Sequence, residues 1–299
     1  MRALVVGVFL VVVGCSSQPR TTRLHVILIP ADGGTEDGTR ADYEPLFASI
    51  ARHTSLRFDL TVGQSYSAVV EALCNRSADV AFVGPVTYLQ ARARGCAELL
   101  AVGVENGQSI YYAGLFSRKA SGLHTVADVR RKSVAFGDIN STSSFVFPLA
   151  MILDAGIDPT TDLSAIRLTG SHANSLAALV QGQVDVAAAS FDSYEKAVRQ
   201  GVLDPAAVRI LGKSIAIPYP PLVMRTALVP ELKAALKSAF ATVHEADDVR
   251  PEMIRGYGGK QIDRYDTEFD PARFDVAAET MARITDDVKE GIISRVSAR

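Results

Sequence analysis

The feature that most constrains the fold is an internal repeat between two segments of the chain. Residues 65–88 align without a gap on residues 171–194, an offset of 106 positions. Seven positions are identical, namely Ser65/Ser171, Ala72/Ala178, Leu73/Leu179, Asp79/Asp185, Val80/Val186, Ala81/Ala187 and Tyr88/Tyr194. Each copy is typical of a serine-capped helix, a turn, an Asp-Val-Ala strand and a further helix. The matches also suit the general pattern of βαβ units, but the shared capping and turn residues favour two similarly built lobes.

The repeat gives two polar side chains equivalent positions. Tyr66 and His172 each follow a capping serine, so each is expected at the start of a helix in its own lobe. Ligands of α/β proteins bind in the crevice at the carboxyl ends of strands, where such helices begin. The sequence therefore predicts a ligand held in a cleft between Tyr66 and His172.

Alternating strand and helix patterns predict an α/β architecture with mixed sheets flanked by helices. The predicted strands are 24–29, 80–83, 99–104, 110–116, 133–136, 165–168, 184–189 and 208–211. The predicted helices are 42–54, 65–74, 144–155, 173–181, 194–199, 230–243 and 272–290. The proline-rich segment 217–222 is typical of a connection between lobes.

Composition excludes several classes of protein. The chain has 299 residues, 48% of them apolar and 21% charged, so it can bury a substantial core. Its formal net charge is −2 and its basic residues are scattered, so no nucleic-acid surface is predicted. The five histidines are isolated, and Cys74 and Cys96 are not in a metal-binding spacing, so no metal and no cofactor is expected. Outside the cytoplasm the two cysteines either form a disulfide or stay as buried thiols.

The amino-terminal segment is typical of an export signal. A basic residue precedes an apolar run over residues 3–13, which is too short to span a bilayer comfortably. Gly14 and Cys15 follow two aliphatic residues and resemble the bacterial lipobox, in which the cysteine carries the lipid. We expect residues 1–15 to be a lipoprotein signal peptide and residues 16–23 a flexible tether. An ordinary signal peptide with an incidental cysteine is the alternative.

A hydroxyl-rich segment, residues 138–144, follows an apolar strand and opens a predicted helix. It offers four hydroxyl side chains, Ser141, Thr142, Ser143 and Ser144, although a helix cap needs only one. A helix start exposes unpaired N–H groups and the positive end of the helix dipole, so it favours an anion. The segment therefore predicts a site for a tetrahedral oxyanion, with simple helix capping as the alternative.

Short motifs follow one another in a definite order along the chain. The most specific is Phe136-Gly137-Asp138, followed by Ser141-Thr142-Ser143 and Pro148. The others are Ser65-Tyr66, Asp79-Val80-Ala81, Gly84-Pro85, Tyr111-Tyr112, Gly156-Ile157-Asp158-Pro159, Gly170-Ser171-His172 and Val184-Asp185. In order and spacing they resemble the phosphate/phosphite/phosphonate-binding proteins of ABC transporters. The resemblance covers nearly the whole mature chain.

This resemblance implies a two-lobed type II periplasmic-binding-protein fold, the Venus-flytrap architecture, whose lobes close on the ligand. Residues 24–116 and 221–299 are then expected to form lobe 1, and residues 117–220 lobe 2. The resemblance also implies a substrate-binding protein, not an enzyme, that works with an ABC permease and its ATPase. Together with the amino-terminal signal, it predicts an exported lipoprotein, anchored to a membrane, in the periplasm or at the cell surface.

The resemblance also implies a ligand site built from both lobes. It places the phosphorus group among Tyr66, Tyr111, Ser141, Thr142, Ser143 and His172. Hydroxyl and imidazole donors, with helix-start amides, can enclose an oxyanion without a buried lysine or arginine. Tyr112 is adjacent to Tyr111, and the sequence leaves open which of the two contacts the ligand.

Departures from the family pattern bear on the ligand. Family members that bind aminoalkylphosphonates place a carboxylate in the stretch matching residues 217–223, which has no acid here. Asp192 lies in an Asp-Ser-Tyr sequence that resembles members binding smaller oxyanions, and its carboxylate favours a ligand with a proton on oxygen. We therefore expect phosphite, hypophosphite, phosphate or methylphosphonate in preference to 2-aminoethylphosphonate. Asp192 as a helix cap is the alternative, and Ser144, where the family commonly has glycine, is expected to crowd the site.

Two other kinds of function are alternatives to this one. Ser141, His172 and Asp192 are the residue types of a hydrolytic triad, but no GxSxG motif exposes a nucleophile, so no catalytic residue is predicted. A ligand-sensing lipoprotein, or a binder of another small anion, would use the same fold.

Overall fold

The computed structural model describes residues 21–31 and 36–297. The predicted signal peptide, its Cys15 and most of the predicted tether lie outside these residues. In the part of the chain that is described, no helix is both long enough and apolar enough to cross a membrane.

Strands and helices alternate along the described chain. The strands are β1 (Thr22–Leu28), β2 (Leu56–Val62), β3 (Val80–Phe82), β4 (Ala97–Val104), β5 (Ile110–Tyr111), β6 (Ala113–Arg118), β7 (Ser133–Phe136), β8 (Ala165–Leu168), β9 (Val186–Ser190), β10 (Val208–Lys213), β11 (Ile217–Pro218), β12 (Pro221–Arg225) and β13 (Arg264–Asp266). The α-helices are α1 (Glu36–His53), α2 (Tyr66–Cys74), α3 (Pro85–Ala93), α4 (Phe147–Asp154), α5 (His172–Val180), α6 (Phe191–Arg199), α7 (Pro230–Thr242), α8 (Asp275–Ala282) and α9 (Asp286–Ser297).

These strands form two main mixed sheets. The first has the order β13-β4-β12-β3-β1-β2, with β1 parallel to β2 and β3, and β12 antiparallel to β3 and β4. The second has the order β10-β6-β9-β7-β8, with β7 parallel to β8 and β9, and β6 antiparallel to β9 and β10. We call the first sheet with the loops and helices between its strands the first half, and the second sheet with its own the second half. The predicted α/β fold with mixed sheets flanked by helices is confirmed.

Two short strands connect the halves. The chain leaves β4, passes through β5 and enters the second sheet at β6; it returns from β10 through β11, which pairs antiparallel with β5. The predicted connection at 217–222 therefore contains β11 and the start of β12. The strand predicted at 110–116 is divided, because β5 and β6 pair in different sheets, and the lobe boundary predicted after residue 116 lies inside β6. The lobe limits otherwise stay a prediction.

The internal repeat is preserved in three dimensions. Helices α2 and α5 each have nine residues. Ser65 and Ser171 each accept a hydrogen bond from the backbone N–H three residues later, at 3.1 Å in both cases. These are the caps that the sequence predicts. Tyr66 and His172 are therefore the first residues of equivalent helices.

One aspartate in each half makes the same contact. Asp79 and Asp185 precede β3 and β9 and accept from the backbone N–H groups of His25, at 3.0 Å, and Ser133, at 2.8 Å. The N–H of each aspartate donates back to the carbonyl of the same partner residue. Each aspartate thus fixes the alignment of two neighbouring parallel strands, which supports the prediction of two similarly built lobes.

The C-terminal segment differs from the single helix predicted at 272–290. It is divided into a 3-10 turn at Pro271–Phe274, followed by α8 and α9. Helix α9 starts anew because Thr285 accepts from the N–H three residues later. Arg295 then donates to two backbone carbonyls within 159–163, so this helix lies against the second half although it was predicted in lobe 1.

The hydrophobic core lies on the faces of both sheets. Every residue of the central strands β3 and β9 is buried. Helices α1 and α7 pack on the first sheet, and α5 packs on β9 and β7. Strand β3 is wholly apolar and β9 is apolar up to its last residue, Ser190, as expected for strands buried on both faces.

A disulfide joins Cys74 to Cys96, with 4.8 Å between their Cα atoms. It connects the end of α2 to the residue before β4 and so encloses β3 and α3. Of the two alternatives left by the sequence, the disulfide is therefore the one present.

We expect the double substitution Cys74→Ser/Cys96→Ser to lower the free energy of unfolding by about 3 kcal/mol, because the bond restricts the unfolded chain. The two cysteines are 22 residues apart, which gives a loop of moderate length. Urea unfolding followed by circular dichroism measures the change, and wild-type protein treated with a reductant should lose the same amount. A double variant within about 0.5 kcal/mol of wild type would contradict this expectation.

Candidate ligand-binding site

The hydroxyl-rich segment forms the entry to α4. Ser141 ends the loop after β7, and its hydroxyl caps the next turn by accepting from Ser144 N–H at 3.1 Å. The turn Thr142–Val146 is π-helical, because the N–H of Val146 donates to the carbonyl of Ser141 at 3.0 Å. Such turns widen a helix locally and are frequent at functional sites. Capping thus uses one of the four hydroxyls.

The next two hydroxyls face the first half and the connecting strand β5. Thr142 Oγ1 accepts from Val86 N–H at 2.9 Å, at the start of α3. Burial raises the pKa of the Tyr111 hydroxyl well above its ordinary value, and hydrogen bonds with Ser143 and Thr142 oppose this rise. Tyr111 therefore stays protonated at neutral pH and remains a hydrogen-bond donor beside Thr142 and Ser143.

Ser144 lies on the other side of the turn. Its Oγ is buried without a hydrogen-bond partner among the described residues. A Cβ atom at position 137 would overlap the side chain of Ser144. Ser144 therefore crowds the backbone of Gly137, and glycine fits at position 137 because it has no Cβ atom.

His172 is fully buried and its hydrogen bonds fix its tautomer. Its Nδ1 accepts from Ser190 N–H at 2.9 Å, so Nδ1 carries no proton. The ring proton is therefore on Nε2, which lies 3.0 Å from the Tyr257 hydroxyl and 3.5 Å from Ser141 Oγ. His172 is a neutral imidazole that offers one N–H donor to this group.

The same geometry rules out a hydrolytic triad. In a triad the histidine Nδ1–H donates to a carboxylate, which holds the ring for proton transfer. Here Nδ1 of His172 accepts from a backbone N–H, and Asp192 accepts instead from Lys260 Nζ at 2.8 Å. Ser141, His172 and Asp192 are therefore not arranged for hydrolysis.

Tyr66 lies on the opposite side of the contact between the halves. Its side chain is buried, and its N–H donates to Asp138 at 3.2 Å, in the loop that leads to Ser141. The N–H of His172 donates in turn to the carbonyl of Ala31, just beyond β1, at 2.8 Å. The first residues of α2 and α5 thus each contact the opposite half, as the repeat predicts.

Tyr111 and Tyr112 have different surroundings. Tyr111 is buried and contacts Ser143 and Thr142. Tyr112 is only half-buried, and Lys213 Nζ lies 3.5 Å from the centre of its ring. Of the two tyrosines, Tyr111 is therefore the one that faces the hydroxyl-rich turn.

Asp192 is a buried acid beside this group. Ser190 caps α6 by accepting from Ser193 N–H at 3.1 Å, so the alternative of Asp192 as the helix cap is wrong. Burial raises the pKa of Asp192, and the nearby Lys260 ammonium opposes that rise. One carboxylate oxygen accepts from Lys260, while the other has no hydrogen-bond partner within the described ranges.

Sequence reasoning missed two residues on one loop, Tyr257 and Lys260. The ring of Tyr257 lies 6.1 Å from the rings of both Tyr111 and His172. The loop is held by two tyrosine hydroxyls, since Tyr219 accepts from the N–H of Tyr257 and Tyr43 accepts from the next N–H, each at 3.0 Å. The only sequence signal is the Gly-Tyr-Gly-Gly-Lys composition of the loop, which contains two glycines with positive φ.

Further contacts join the halves around the site. Gln90 donates to the Asn140 side chain at 2.9 Å, and Lys196 donates to Asp42 at 2.7 Å. Tyr66, Tyr111, Ser141, Thr142, Ser143 and His172 are each at most 4% exposed. The structure therefore brings Tyr111, Ser141, Thr142, Ser143 and His172 to one enclosed contact between the halves, with Asp192 at its edge. Tyr66 is buried nearby and is tied to this contact through the hydrogen bond from its N–H to Asp138. Within residues 21–31 and 36–297, no group of three or more His, Cys, Asp or Glu is arranged to hold a metal ion.

The chain matches the family described as "ABC transporter, phosphonate, periplasmic substrate-binding protein" over residues 34–268. It belongs to this family. Members are binding proteins of transporters, so the chain is a substrate-binding component of a phosphonate/phosphate importer and not an enzyme. It is an exported periplasmic protein whose partners are a small-molecule ligand, a permease and an ATPase.

The individual relatives share less than a third of their aligned residues with this chain. The chain is 28% identical over 235 residues to the "Phosphate-import protein PhnD" of Mycolicibacterium smegmatis, covering 75% of this chain and 72% of the relative. It is 22% identical over 226 residues to the "Phosphonates-binding periplasmic protein" of Escherichia coli, covering 74% and 67%. The solved structure of PhnD1 from Prochlorococcus marinus in complex with methylphosphonate has a TM-score of 0.76 and 15% identity, covering 88% of this chain and 98% of that one. The predicted type II periplasmic-binding-protein fold is therefore confirmed.

Proposed function

We propose that the chain captures a small phosphorus oxyanion, namely phosphite, hypophosphite, phosphate or methylphosphonate, for its importer. The observation that carries this proposal is the convergence of uncharged donors from both halves on one buried contact. Tyr111 comes from β5, the strand that connects the halves, and Ser143 and His172 come from the second half, where His172 also meets Tyr257 of the first half. Each is a neutral donor at neutral pH, as the geometry above requires.

These donors suit a tetrahedral anion. A phosphorus oxyanion offers several acceptor oxygens, and each can take a hydrogen bond from a hydroxyl, an imidazole N–H or a helix-start amide. The turn at Thr142–Val146 adds the positive end of a helix dipole without a formal charge. Affinity then comes from the number and placement of donors in a water-poor site, where each bond is stronger than in water.

Asp192 favours a ligand that carries a proton on oxygen. An ionised carboxylate only accepts hydrogen bonds, and one oxygen of Asp192 has no partner in the described part of the chain. A P–OH group can donate to that oxygen, whereas a fully deprotonated oxyanion is repelled by it. This supports phosphite, phosphate and methylphosphonate in their monoanionic forms.

The absence of an acid in residues 217–223 argues against an aminoalkylphosphonate. This stretch is buried in β11 and the start of β12 and offers no carboxylate to an ammonium group. Lys260 already pairs with Asp192 at 2.8 Å. A buried ammonium without an acidic partner is costly, so the ligand we propose has no amino group.

Named relatives point in the same direction. The mycolicibacterial relative is a phosphate-import protein, and the Prochlorococcus structure holds methylphosphonate. Neither compound has an amino group. We therefore propose that this chain binds a ligand of the same class as phosphate and methylphosphonate, without choosing one compound within that class.

Ligand binding is proposed to shift an open–closed equilibrium between the halves. A ligand that contacts Tyr66 of the first half and His172 of the second half stabilises only the arrangement in which the halves meet. The two connecting strands, β5 and β11, pair with each other between the sheets and provide the hinge for this motion. Recognition of the closed form by the permease completes the transport role.

Calorimetric titration tests the proposed ligand class. We expect one of phosphite, hypophosphite, phosphate or methylphosphonate to bind most tightly, with 2-aminoethylphosphonate and sulfate at least about tenfold weaker. Sulfate is the matched control for the three ligands that keep a P–OH group, because it is tetrahedral but carries no proton at neutral pH. Hypophosphite, whose hydrogens are on phosphorus, would bind through the neutral donors alone. A tenfold preference for sulfate, for 2-aminoethylphosphonate or for a sulfonate would overturn the assignment.

Thr142→Val and His172→Ala should each weaken binding of the preferred ligand by about tenfold to a hundredfold, the cost of one or two hydrogen bonds to an anion. The matched control is Thr280→Val, which removes another buried threonine hydroxyl, one that bonds to Val276 within α8. Thermal unfolding shows whether each variant is folded. Unchanged affinity in both site variants would show that the ligand binds elsewhere.

We also propose that Cys15 carries a lipid that holds the mature protein at a membrane. The support is the lipobox-like sequence of residues 12–15, because a lipid chain stabilises membrane attachment through its buried methylene groups. Residues 16–23 then form the tether.

Wild-type protein expressed in a bacterial host should therefore appear in the membrane fraction, and Cys15→Ser should release it into the soluble periplasmic fraction. Cell fractionation with immunoblotting measures this distribution. Ser16→Ala is the control, because it leaves the cysteine in place and should stay with the membrane. A wild-type protein found wholly in the soluble fraction would contradict the anchor.

A further inference from the structure

A cavity beside the proposed anion site contains an internal salt bridge. The cavity has a volume of about 260 Å³, and its wall includes Tyr111, Asp192, Glu105 and Lys260. Tyr111 also contacts the hydroxyl-rich turn, so the cavity adjoins the proposed position of the phosphorus group. Since a water molecule takes about 30 Å³ in the liquid, this space can hold a short organic substituent.

Lys260 is the centre of this salt bridge. Its Nζ lies 2.8 Å from Asp192, 2.8 Å from Glu105 and 3.9 Å from Glu195. Burial lowers the pKa of Lys260, but the carboxylates of Asp192 and Glu105 more than offset this, so the pKa is raised and the ammonium stays charged. Asp192 is 9% exposed and Lys260 is largely buried, so this contact is poorly screened by solvent.

The arrangement of charges is that of an occupied ammonium site. Two carboxylates, one on each half, converge on a single ammonium group. Without Lys260, Asp192 and Glu105 would face each other as like charges in a half-buried cavity, which is a favourable environment for a cation. The second oxygen of Asp192 lacks a hydrogen-bond partner among the described residues, which makes this environment still more favourable for a cation.

We propose that Lys260 determines the specificity of this cavity by occupying the ammonium position that an aminoalkyl substituent of a phosphonate would otherwise take. The protein therefore excludes such ligands with a cation of its own, in addition to lacking an acid in residues 217–223. This inference rests on the proposed function, because it requires that a phosphonate group binds at the adjacent hydroxyl-rich turn.

The test compares ligands that differ only in a terminal group. Propylphosphonate and 2-aminoethylphosphonate are close in size and differ by CH₃ against NH₃⁺, and butylphosphonate and 3-aminopropylphosphonate form a longer pair. For each pair we take the ratio of the two dissociation constants, measured by calorimetry. In Lys260→Met, which keeps the length of the side chain, this ratio should move in favour of the amino compound by about tenfold or more.

Three further variants make the outcome specific. Lys260→Arg keeps the cation and should retain the wild-type ratio. Lys233→Met removes another partly buried lysine, one that pairs with Glu98 at 3.0 Å away from this cavity, and should also retain it. Adding Asp192→Asn to Lys260→Met should reduce the change in the ratio of dissociation constants, because one of the two carboxylates is then removed. If Lys260→Met does not fold, as judged by thermal unfolding, Lys260→Gln carries the same expectation.

The possible results separate the two proposals. If wild type and Lys260→Met both bind the phosphonates with the same ratio, the role of Lys260 is wrong and the proposed function stands. An equal gain in Lys233→Met would also overturn the role of Lys260, because the effect would then not be local. If wild type binds none of the phosphorus compounds in either panel, the proposed function fails and this inference fails with it.

Discussion

Buried hydrogen-bond donors without net charge dominate the contact between the two halves. A buried polar group that loses its partner costs about 1–3 kcal/mol, so these donors must be paired within the protein or with a ligand. His172 illustrates the constraint, because Ser190 holds one ring nitrogen and leaves the other to donate towards Tyr257 and Ser141. A ligand rich in acceptors would satisfy several such donors together, and this is how the proposed function couples binding to closure.

The repeat explains why these donors meet. In each half an aspartate aligns two parallel strands, and a serine caps the helix that begins beside them. The same supersecondary unit therefore presents its helix start at the same edge of each sheet. When the halves face each other, Tyr66 and His172 necessarily lie on opposite sides of one contact, and the hydroxyl-rich turn completes it from the second half.

The sequence was most informative where local chemistry decides the structure. Strands β7 and β8 and the caps of α2 and α5 were predicted correctly from apolar runs and capping serines. Strands β2 and β13 were missed because they are the two edges of the first sheet, where a strand need not be apolar on both faces. The start of β12 was read as a connection because it begins with a proline, which a strand tolerates at its first residue.

In the site, too, the residues that could be predicted are those that belong to a local sequence motif. Ser141, Thr142 and Ser143 belong to one local motif, whereas Tyr257 and Lys260 lie on an irregular loop whose contacts depend on distant residues. His172 and Tyr257 are 85 positions apart, so no local pattern records their contact. These two residues differ in what they add to the site. Tyr257 adds a hydroxyl to the uncharged polar groups around His172, and Lys260 pairs with the carboxylate of Asp192. Because the lysine offsets charge on Asp192, the proposed anion would be tolerated next to a buried carboxylate, and discrimination among anions would depend on whether the anion carries a proton on oxygen.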